Sequence, residues 1–257
     1  LTEWLARTTP ESMKQIAAYL SITLFLFLGA SAFTLKAFNE PTPEPVSILS
    51  HIVDPKTEQI QMFLKDKNGK HYQNIGKLKT ALKGQGRTLT FAMNGGMYME
   101  DLNPLGLFVE GGKTIRNLNS VQEAHGNFYM QPNGVFAVYE NGKALVVQTP
   151  DFTLTNEVQY ATQSGPMLLI NGKIHSAFNE GSENVNIRNG AGILPDGRVL
   201  FAMSKGLINF YDFASFFKEQ GCSNALYLDG FVSKAYMPNQ GWEQLNGKLG
   251  VLIGVVE

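Results

Sequence analysis

The sequence predicts an α+β fold: a largely antiparallel or mixed sheet of many short strands with a few flanking helices, forming a single domain after an N-terminal apolar export segment. Three observations carry this expectation. Four stretches share one layout: LFVEGGKTI (107–115), VFAVYENGKALVV (135–147), MLLINGKIH (167–175) and GILPDGRVLFA (192–202). Each is an apolar half, a turn carrying Gly, and a basic residue opening a second half; Gly-Gly, Asn-Gly and Asp-Gly supply the positive φ angles of hairpin turns. Helical spacing of apolar residues shows in only two places. Finally, 257 residues with 44% hydrophobic side chains suit one domain that buries its own core.

In chain order, the first feature lies between Lys14 and Lys36, where 21 residues carry no formal charge and the centre reads LSITLFLFL (20–28). An amphipathic core helix would show a polar face at 3.6-residue spacing, and this run has none. About 20 apolar residues span a bilayer, while Ala30-Ser31-Ala32 after the apolar run has the small-x-small form of a signal cleavage site. Residues 13–37 are therefore expected to be a signal peptide or a membrane anchor. Met13-Lys14 supplies a short basic start, so 1–12 are expected to be an over-extended or alternative start. Residues 38–45, with Pro41, Pro43 and Pro45, read as an extended tether. The chain is expected to be exported, periplasmic or anchored to the inner membrane, touching the membrane only through its N-terminal segment.

From Val46 to residue 257 runs the domain itself. Residues 74–83 place Ile75, Leu78 and Leu82 on one helical face. Residues 209–220 place Phe210, Phe213 and Phe217 at three- and four-residue spacing, with Gly221 as the stop. Ala225-Leu226-Tyr227-Leu228 is a short apolar strand ending in Asp229-Gly230.

Composition removes several functions. Twenty-one basic against 22 acidic residues give a net charge of −1, without the cationic surplus that nucleic-acid binding uses to displace counterions. A single cysteine, Cys222, excludes an intrachain disulfide and a multi-thiolate zinc site. His51, His71, His125 and His175 have no ligand spacing, and no Walker or dinucleotide fingerprint is present. The one cofactor left open is a divalent cation held by Asp101, Asn103 and backbone carbonyls.

Four segments exceed what turn statistics explain. Asn94-Gly95-Gly96 follows an apolar strand, where missing Cβ atoms would bring backbone amides close to an anion. Ser164-Gly165 places a hydroxyl beside a glycine at a strand end, without a nucleophile-elbow motif. Arg188-Asn189 opens a strand rich in small residues, suited to a groove floor, and a guanidinium matches phosphate oxygens at every relevant pH. Asp229-Gly230 puts a carboxylate at the end of a strongly apolar strand, where desolvation demands a partner or a task. Each also admits an ordinary turn or cross-strand role.

Taken in order, NGGMY (94–98), NPLGLFVEGGK (103–113), GNFYMQPNGVF (126–136), SGPML (164–168), IRNGAGILPDGRVLFAMS (187–204), NFYDFASFF (209–217) and ALYLDG (225–230) resemble the phosphodiester glycosidase family, in its compact bacterial branch. The resemblance spans roughly residues 46–256. It implies hydrolysis of a sugar-1-phosphodiester at the anomeric carbon, on an envelope or extracellular glycan or other phosphorylated polysaccharide. It also implies functional positions at Asn94, Gly95, Ser164, Gly165, Arg188, Asp229 and Gly230. One departure is that Phe231-Val232-Ser233-Lys234 follows the Asp-Gly, where longer members carry further glycines and a serine.

Residue chemistry and resemblance meet on the leaving phosphate. Arg188 and the amides of Gly95 and Gly96 are expected to stabilise its developing charge. Asp229 is expected to serve the oxocarbenium-like sugar as nucleophile or base. Glu110 and Asp101 are the candidates for a second carboxylate, and Asn189 is grouped with the substrate-binding positions. Two other readings stand beside this one: a non-catalytic glycan- or polyanion-binding envelope protein, and a metal-dependent phosphodiesterase attacking phosphorus.

Overall fold

A computed structural model describes residues 46–229 and 232–257. The expected start (1–12), signal or anchor (13–37), tether (38–45) and Gly230 lie outside the described residues.

In chain order the elements are β1 (Ile48–Val53), β2 (Gln59–Phe63), α1 (Ile75–Lys83), β3 (Leu89–Asn94), β4 (Phe108–Glu110), β5 (Lys113–Arg116), β6 (Gly134–Tyr139) and β7 (Ala144–Gln148). They continue with β8 (Val158–Ser164), β9 (Met167–Ile170), β10 (Lys173–Ile174), β11 (Asn189–Ile193), β12 (Val199–Ser204), α2 (Phe210–Glu219), β13 (Asn224–Asp229), β14 (Ala235–Met237), β15 (Trp242–Glu243) and β16 (Leu252–Val256). The four glycine-turn segments are hairpins: β4–β5, β6–β7, β9–β10 and β11–β12. Their turns use Gly111, Gly112, Gly142, Gly172 and Gly197 at positive φ.

The strands form three sheets, ordered β1-β12-β11-β13-β9-β10, β15-β14-β3-β16-β2 and β5-β4-β8-β6-β7. The described strand pairings are antiparallel. Alternate residues of all three sheets point into one core. Leu49, Phe91, Phe108, Phe136, Phe201, Leu226 and Ile253 belong to it, each at most 3% exposed, and Phe201 stacks on Phe91 at 5.1 Å and meets Phe136 edge-on at 5.7 Å.

Each helix covers the outer face of one sheet. In α1, Ile75, Leu78 and Leu82 pack with Leu89, Tyr236 and Leu252, and the Asn74 side chain caps its N-terminus by accepting from the Lys77 amide at 2.9 Å. In α2, Phe210, Phe213 and Phe217 pack with Leu168, Ala225 and Tyr227. Its cap is Asn209, which accepts from Asp212 N at 2.8 Å, and Gly221 at φ 82° ends the run. The small residues of β11 serve this contact and not a groove. A Cβ on Gly192 would come within 2.7 Å of Phe217 and 2.8 Å of the Cys222 sulfur, and one on Gly190 within 3.3 Å of Phe217. Glycine lets α2 lie directly on the sheet.

The topology also decides where chemistry collects. Asn94 ends β3, Ser164 ends β8, Ser204 ends β12, Asn189 begins β11 and Asp229 ends β13; hydrogen bonds link Asn94, Asn189 and Asp229 directly, Ser164 to Leu228 and Ser204 to Arg188.

Candidate active site

At these strand ends sits a knot of three buried polar side chains. Asn94 and Asn189 are fully buried and Asp229 is 7% exposed. Asn94 Nδ2 donates to Asp229 Oδ2 at 3.1 Å. Asn94 Oδ1 accepts from Asn189 Nδ2 at 3.0 Å and from the Lys234 amide at 2.9 Å. Asn189 Nδ2 also donates to the Asn94 carbonyl at 2.8 Å, and its Oδ1 accepts from the Asp229 amide at 2.8 Å. The backbone donor of Lys234 fixes which way the Asn94 amide is turned, so Nδ2 must face the carboxylate. A buried amide left unbonded costs about 1–3 kcal/mol; here each strengthens the placement of the next.

Arg188, the residue before β11, is fully buried. Its Nε donates to the Ile208 carbonyl at 2.8 Å and its Nη2 to the Asn184 carbonyl at 2.8 Å and side-chain oxygen at 3.2 Å; Nη1 donates to the Tyr227 hydroxyl at 3.4 Å. The guanidinium lies 3.5 Å from the centre of the Phe210 ring, a favourable cation–π stack. All four hydrogen bonds go to neutral oxygens, so a full positive charge is built into the interior beside Tyr227. Burial pulls the Arg188 pKa down, opposed by Tyr227. The Tyr227 phenol, 1% exposed, is pushed up to about 12 by burial; Arg188 counters this, Asp229 adds to it, and Asn127 approaches the same hydroxyl. Arg188 and Asp229 thus both act on the Tyr227 phenol, in opposite directions.

Other expected positions have different tasks. Ser164 Oγ donates to the Leu228 carbonyl at 2.7 Å, joining β8 to β13 directly behind Asp229. The Gly95 amide does not await an anion, because it donates to the Val251 carbonyl at 2.9 Å. A Cβ on Gly95 would run into Ile253, and one on Gly96 would come within 2.5 Å of Thr162 Oγ1. Their missing side chains let β3 approach β16 and β8. Gly165 likewise fits against Asn133, at 2.6 Å from where its Cβ would be.

Neither candidate for the second carboxylate joins Asp229. Val109 pairs with Ala161, three residues down β8 from Ser164, which puts Glu110 more than roughly 10 Å along the strand. Burial raises its carboxyl pKa, opposed by a hydrogen bond from the Leu64 backbone, and Glu110 in turn raises the phenols of Tyr72 and Tyr160. Asp101 is exposed, its oxygens accepting from Asn103 N at 3.0 Å and Asn103 Nδ2 at 2.7 Å. Among the described residues no three His, Cys, Asp or Glu side chains gather as a metal-ligand group, and no helix is long and apolar enough to cross a membrane.

Several contributors have no signal in the sequence. Tyr98 donates to the Lys248 carbonyl at 2.6 Å, and its phenol is raised by burial and then by Asp229. Ser204 Oγ accepts from the Arg188 amide at 3.0 Å, and Ser233 Oγ donates to the Asp229 carbonyl at 2.8 Å. Ser233 does have a faint mark, since it is the serine that follows Asp-Gly.

Comparison with known proteins identifies the family and the fold. The family profile described as phosphodiester glycosidase matches residues 87–251. The uncharacterized protein YigE of Escherichia coli K12 is 36% identical over 220 residues, 85% of this chain and 84% of that protein. The catalytic domain of zebrafish N-acetylglucosamine-1-phosphodiester alpha-N-acetylglucosaminidase, auto-inhibited by its pro-peptide, superposes with a TM-score of 0.57 at 17% identity, covering 84% of each chain. A Burkholderia pseudomallei protein described as exported superposes with a TM-score of 0.56 at 11% identity, covering 81% of this chain and 73% of that one. These two share the fold. With its profile match over well more than half the sequence, the chain belongs to the phosphodiester glycosidase family.

Proposed function

We propose that the chain is an exported hydrolase that cleaves a sugar-1-phosphodiester at the anomeric carbon of an envelope or extracellular glycan. The bond from the sugar carbon to the phosphate oxygen breaks, water supplies the new sugar hydroxyl, and a phosphomonoester departs with one more negative charge. What supports the reading is a carboxylate held by Asn94 and Asn189 and a buried guanidinium, both of which act on the Tyr227 phenol.

Asp229 acts at the sugar carbon, as the nucleophile or as the base that activates water. Asn94 presents one carboxylate oxygen in a fixed direction, so little reorganisation is needed as the sugar becomes cationic. Arg188 provides the positive field that favours the departing phosphate; its place in a dry interior makes that field stronger than in water. The Gly95 amide is excluded from this role by its bond to Val251. Phosphate is a good leaving group, and no second carboxylate is assigned to protonate it. Export is supported by the apolar run of residues 13–37 with its small-residue site.

Hydrolysis of a sugar-1-phosphodiester in ¹⁸O-labelled water tests the chemistry. Label in the sugar hydroxyl is expected; label in the phosphate means attack at phosphorus and overturns the reading. Cell fractionation with N-terminal sequencing tests export.

A further inference from the structure

One face of the fold carries charge that the reaction as drawn does not use. Positions 65–87 hold six lysines and one arginine against one acid, Asp66, in a chain whose net charge is −1. Lys77, Lys79 and Lys83 stand on α1 and line a shallow groove of about 850 Å³ with Thr80 and Leu245. The loop that carries Leu245 joins this groove to the buried knot. Its Leu245 carbonyl accepts from the Gly76 amide at 2.9 Å, and Leu249 N donates to the carbonyl of Gln73, whose side-chain oxygen accepts from Lys77 Nζ at 2.7 Å. On its other side the Lys248 carbonyl accepts from the Tyr98 hydroxyl at 2.6 Å. The Lys234 stem lies 3.8 Å from where a Cβ on Gly247 would stand, and the Lys234 amide donates to Asn94 Oδ1 at 2.9 Å. Five lysines thus run from the support of the Asp229 carboxylate out onto α1.

We infer that Lys234, Lys248, Lys77, Lys79 and Lys83 form a track that holds the neighbouring phosphates of a polymeric substrate. The substrate class is then a glycan with repeated phosphodiesters, one of which lies at Asp229 while others lie along α1. Acids on this side are already engaged: Glu243 pairs with Lys79 at 3.8 Å, and Asp66 and Asp101 turn to groups of their own loops. Among the described residues the other four lysines of the track have no ion-pair partner. An ammonium on a flexible stem acts as a point charge without a fixed fork, which suits successive phosphates on a chain that turns between them. A membrane surface would call for apolar anchors beside the lysines. The exposed large apolar side chains among the described residues, Val121 and Leu207 the most open, all lie outside 65–87 and 232–249. The inference rests on the proposed function of the Asp229 end.

The triple variant Lys77→Gln, Lys79→Gln, Lys83→Gln of the full chain tests it, with circular dichroism as the folding check and linear polyphosphate as the binding probe. Affinity should fall about tenfold. The slope of log affinity against log salt should shrink by about 2, since each phosphate contact on a flexible polyanion contributes about 0.7. Lys143→Gln, Lys173→Gln, Lys218→Gln removes the same charge from the β6–β7 turn, β10 and α2, and should leave the affinity within about twofold, because salt confines each charge to about 10 Å. No loss in the first variant, or an equal loss in both, overturns the inference. So does loss of binding to phosphatidylglycerol vesicles with polyphosphate affinity kept, which marks a membrane contact.

Kinetics supply a second readout. On a poly(glycosyl 1-phosphate), KM should rise about tenfold in the first variant with kcat kept, and arginine at the same three positions should restore it. On the single-unit methyl phosphodiester KM should not move; an equal rise on both substrates overturns the inference. Should the wild-type chain hydrolyse neither, the proposed function fails, while the polyphosphate titrations still decide whether the lysines bind a phosphate chain.

Discussion

The side-chain amide of Asn94 donates to the carboxylate of Asp229 at 3.1 Å, although the two residues are 135 positions apart in the sequence. The two residues end strands of different sheets, so the contact exists only when the first and second sheets have both formed and met. Asn189 ties the pair again through Asp229 N and Asn94 O.

Asp229→Asn should abolish turnover with the fold intact, because an amide of the same shape keeps the Asn94 contact but is neither nucleophile nor base. Arg188→Met should lower kcat by about 10²–10³, equivalent to about 2.7–4 kcal/mol of transition-state stabilisation. It should also lower stability by about 1–3 kcal/mol, since the Ile208 and Asn184 carbonyls lose their donors. Rate assays on purified variants, with circular dichroism as the folding check, decide both; full activity in either removes that residue from the site.

Ser164→Ala separates a structural hydroxyl from a nucleophile. It leaves the Leu228 carbonyl without its 2.7 Å donor and should cost about 1–3 kcal/mol in a urea unfolding curve. Turnover should stay within a few-fold of wild type. A loss of several orders of magnitude in a folded variant would give Ser164 a direct chemical role.

Gly95→Ala tests why the Asn-Gly-Gly motif lacks side chains. The new methyl group would overlap the Ile253 side chain, and overpacking of this kind costs about 1–3 kcal/mol. Stability should fall while phosphate affinity, measured by calorimetry on the folded fraction, is kept. The reverse pattern would restore an anion-binding task to the Gly95 amide.

Acid should destabilise the protein through two histidines. Burial pulls the pKa of His51 below 6.5, opposed by Glu58, and burial does the same to His175, opposed by the Gln131 carbonyl. Nδ1 of His175 accepts from Ala177 N at 3.1 Å, so the proton sits on Nε2, 3.0 Å from the Gln131 carbonyl. The folded state therefore binds fewer protons than the unfolded chain in the window just below pH 6.5. Stability is complete above that value and declines as pH falls through the window, levelling once the folded histidines are themselves protonated. Urea midpoints from pH 8 to 5 should show this decline, and His175→Gln should flatten it; midpoints that rise toward pH 5 would refute the assignment.

Much of the scaffold was legible because it is written in local chemistry. The four hairpins follow from glycine at turns, and both helices begin at an Asn whose side chain caps them, as the spacing of Ile75, Leu78, Leu82 and of Phe210, Phe213, Phe217 indicated. The long-range partners were not legible. Nothing near Gly95 in sequence says that Ile253 lies against it, so its bareness looked like space for a ligand. Nothing near Glu110 says that its strand carries it away from Asp229. The small residues of β11 suggested an open floor, while the actual occupant is Phe217. Asp229 stood out because an acid at the end of an apolar strand needs a reason, and the seven ordered motifs supplied the frame that no single one of them could. Tyr227 and Tyr98 looked like ordinary aromatic residues, because their importance lies in what approaches their hydroxyls.

The place of β16 has a consequence for biogenesis. It is translated after every other described strand, yet it lies inside its sheet, between β3 and β2, and with the adjoining Val251 it carries Ile253 into the shared interior. A nascent polypeptide lacking it has a gap between two strands it has already made, β3 and β2. Closure therefore has to wait until this strand has been made. Until then the second sheet stays open, a state compatible with threading through a channel in the export proposed above.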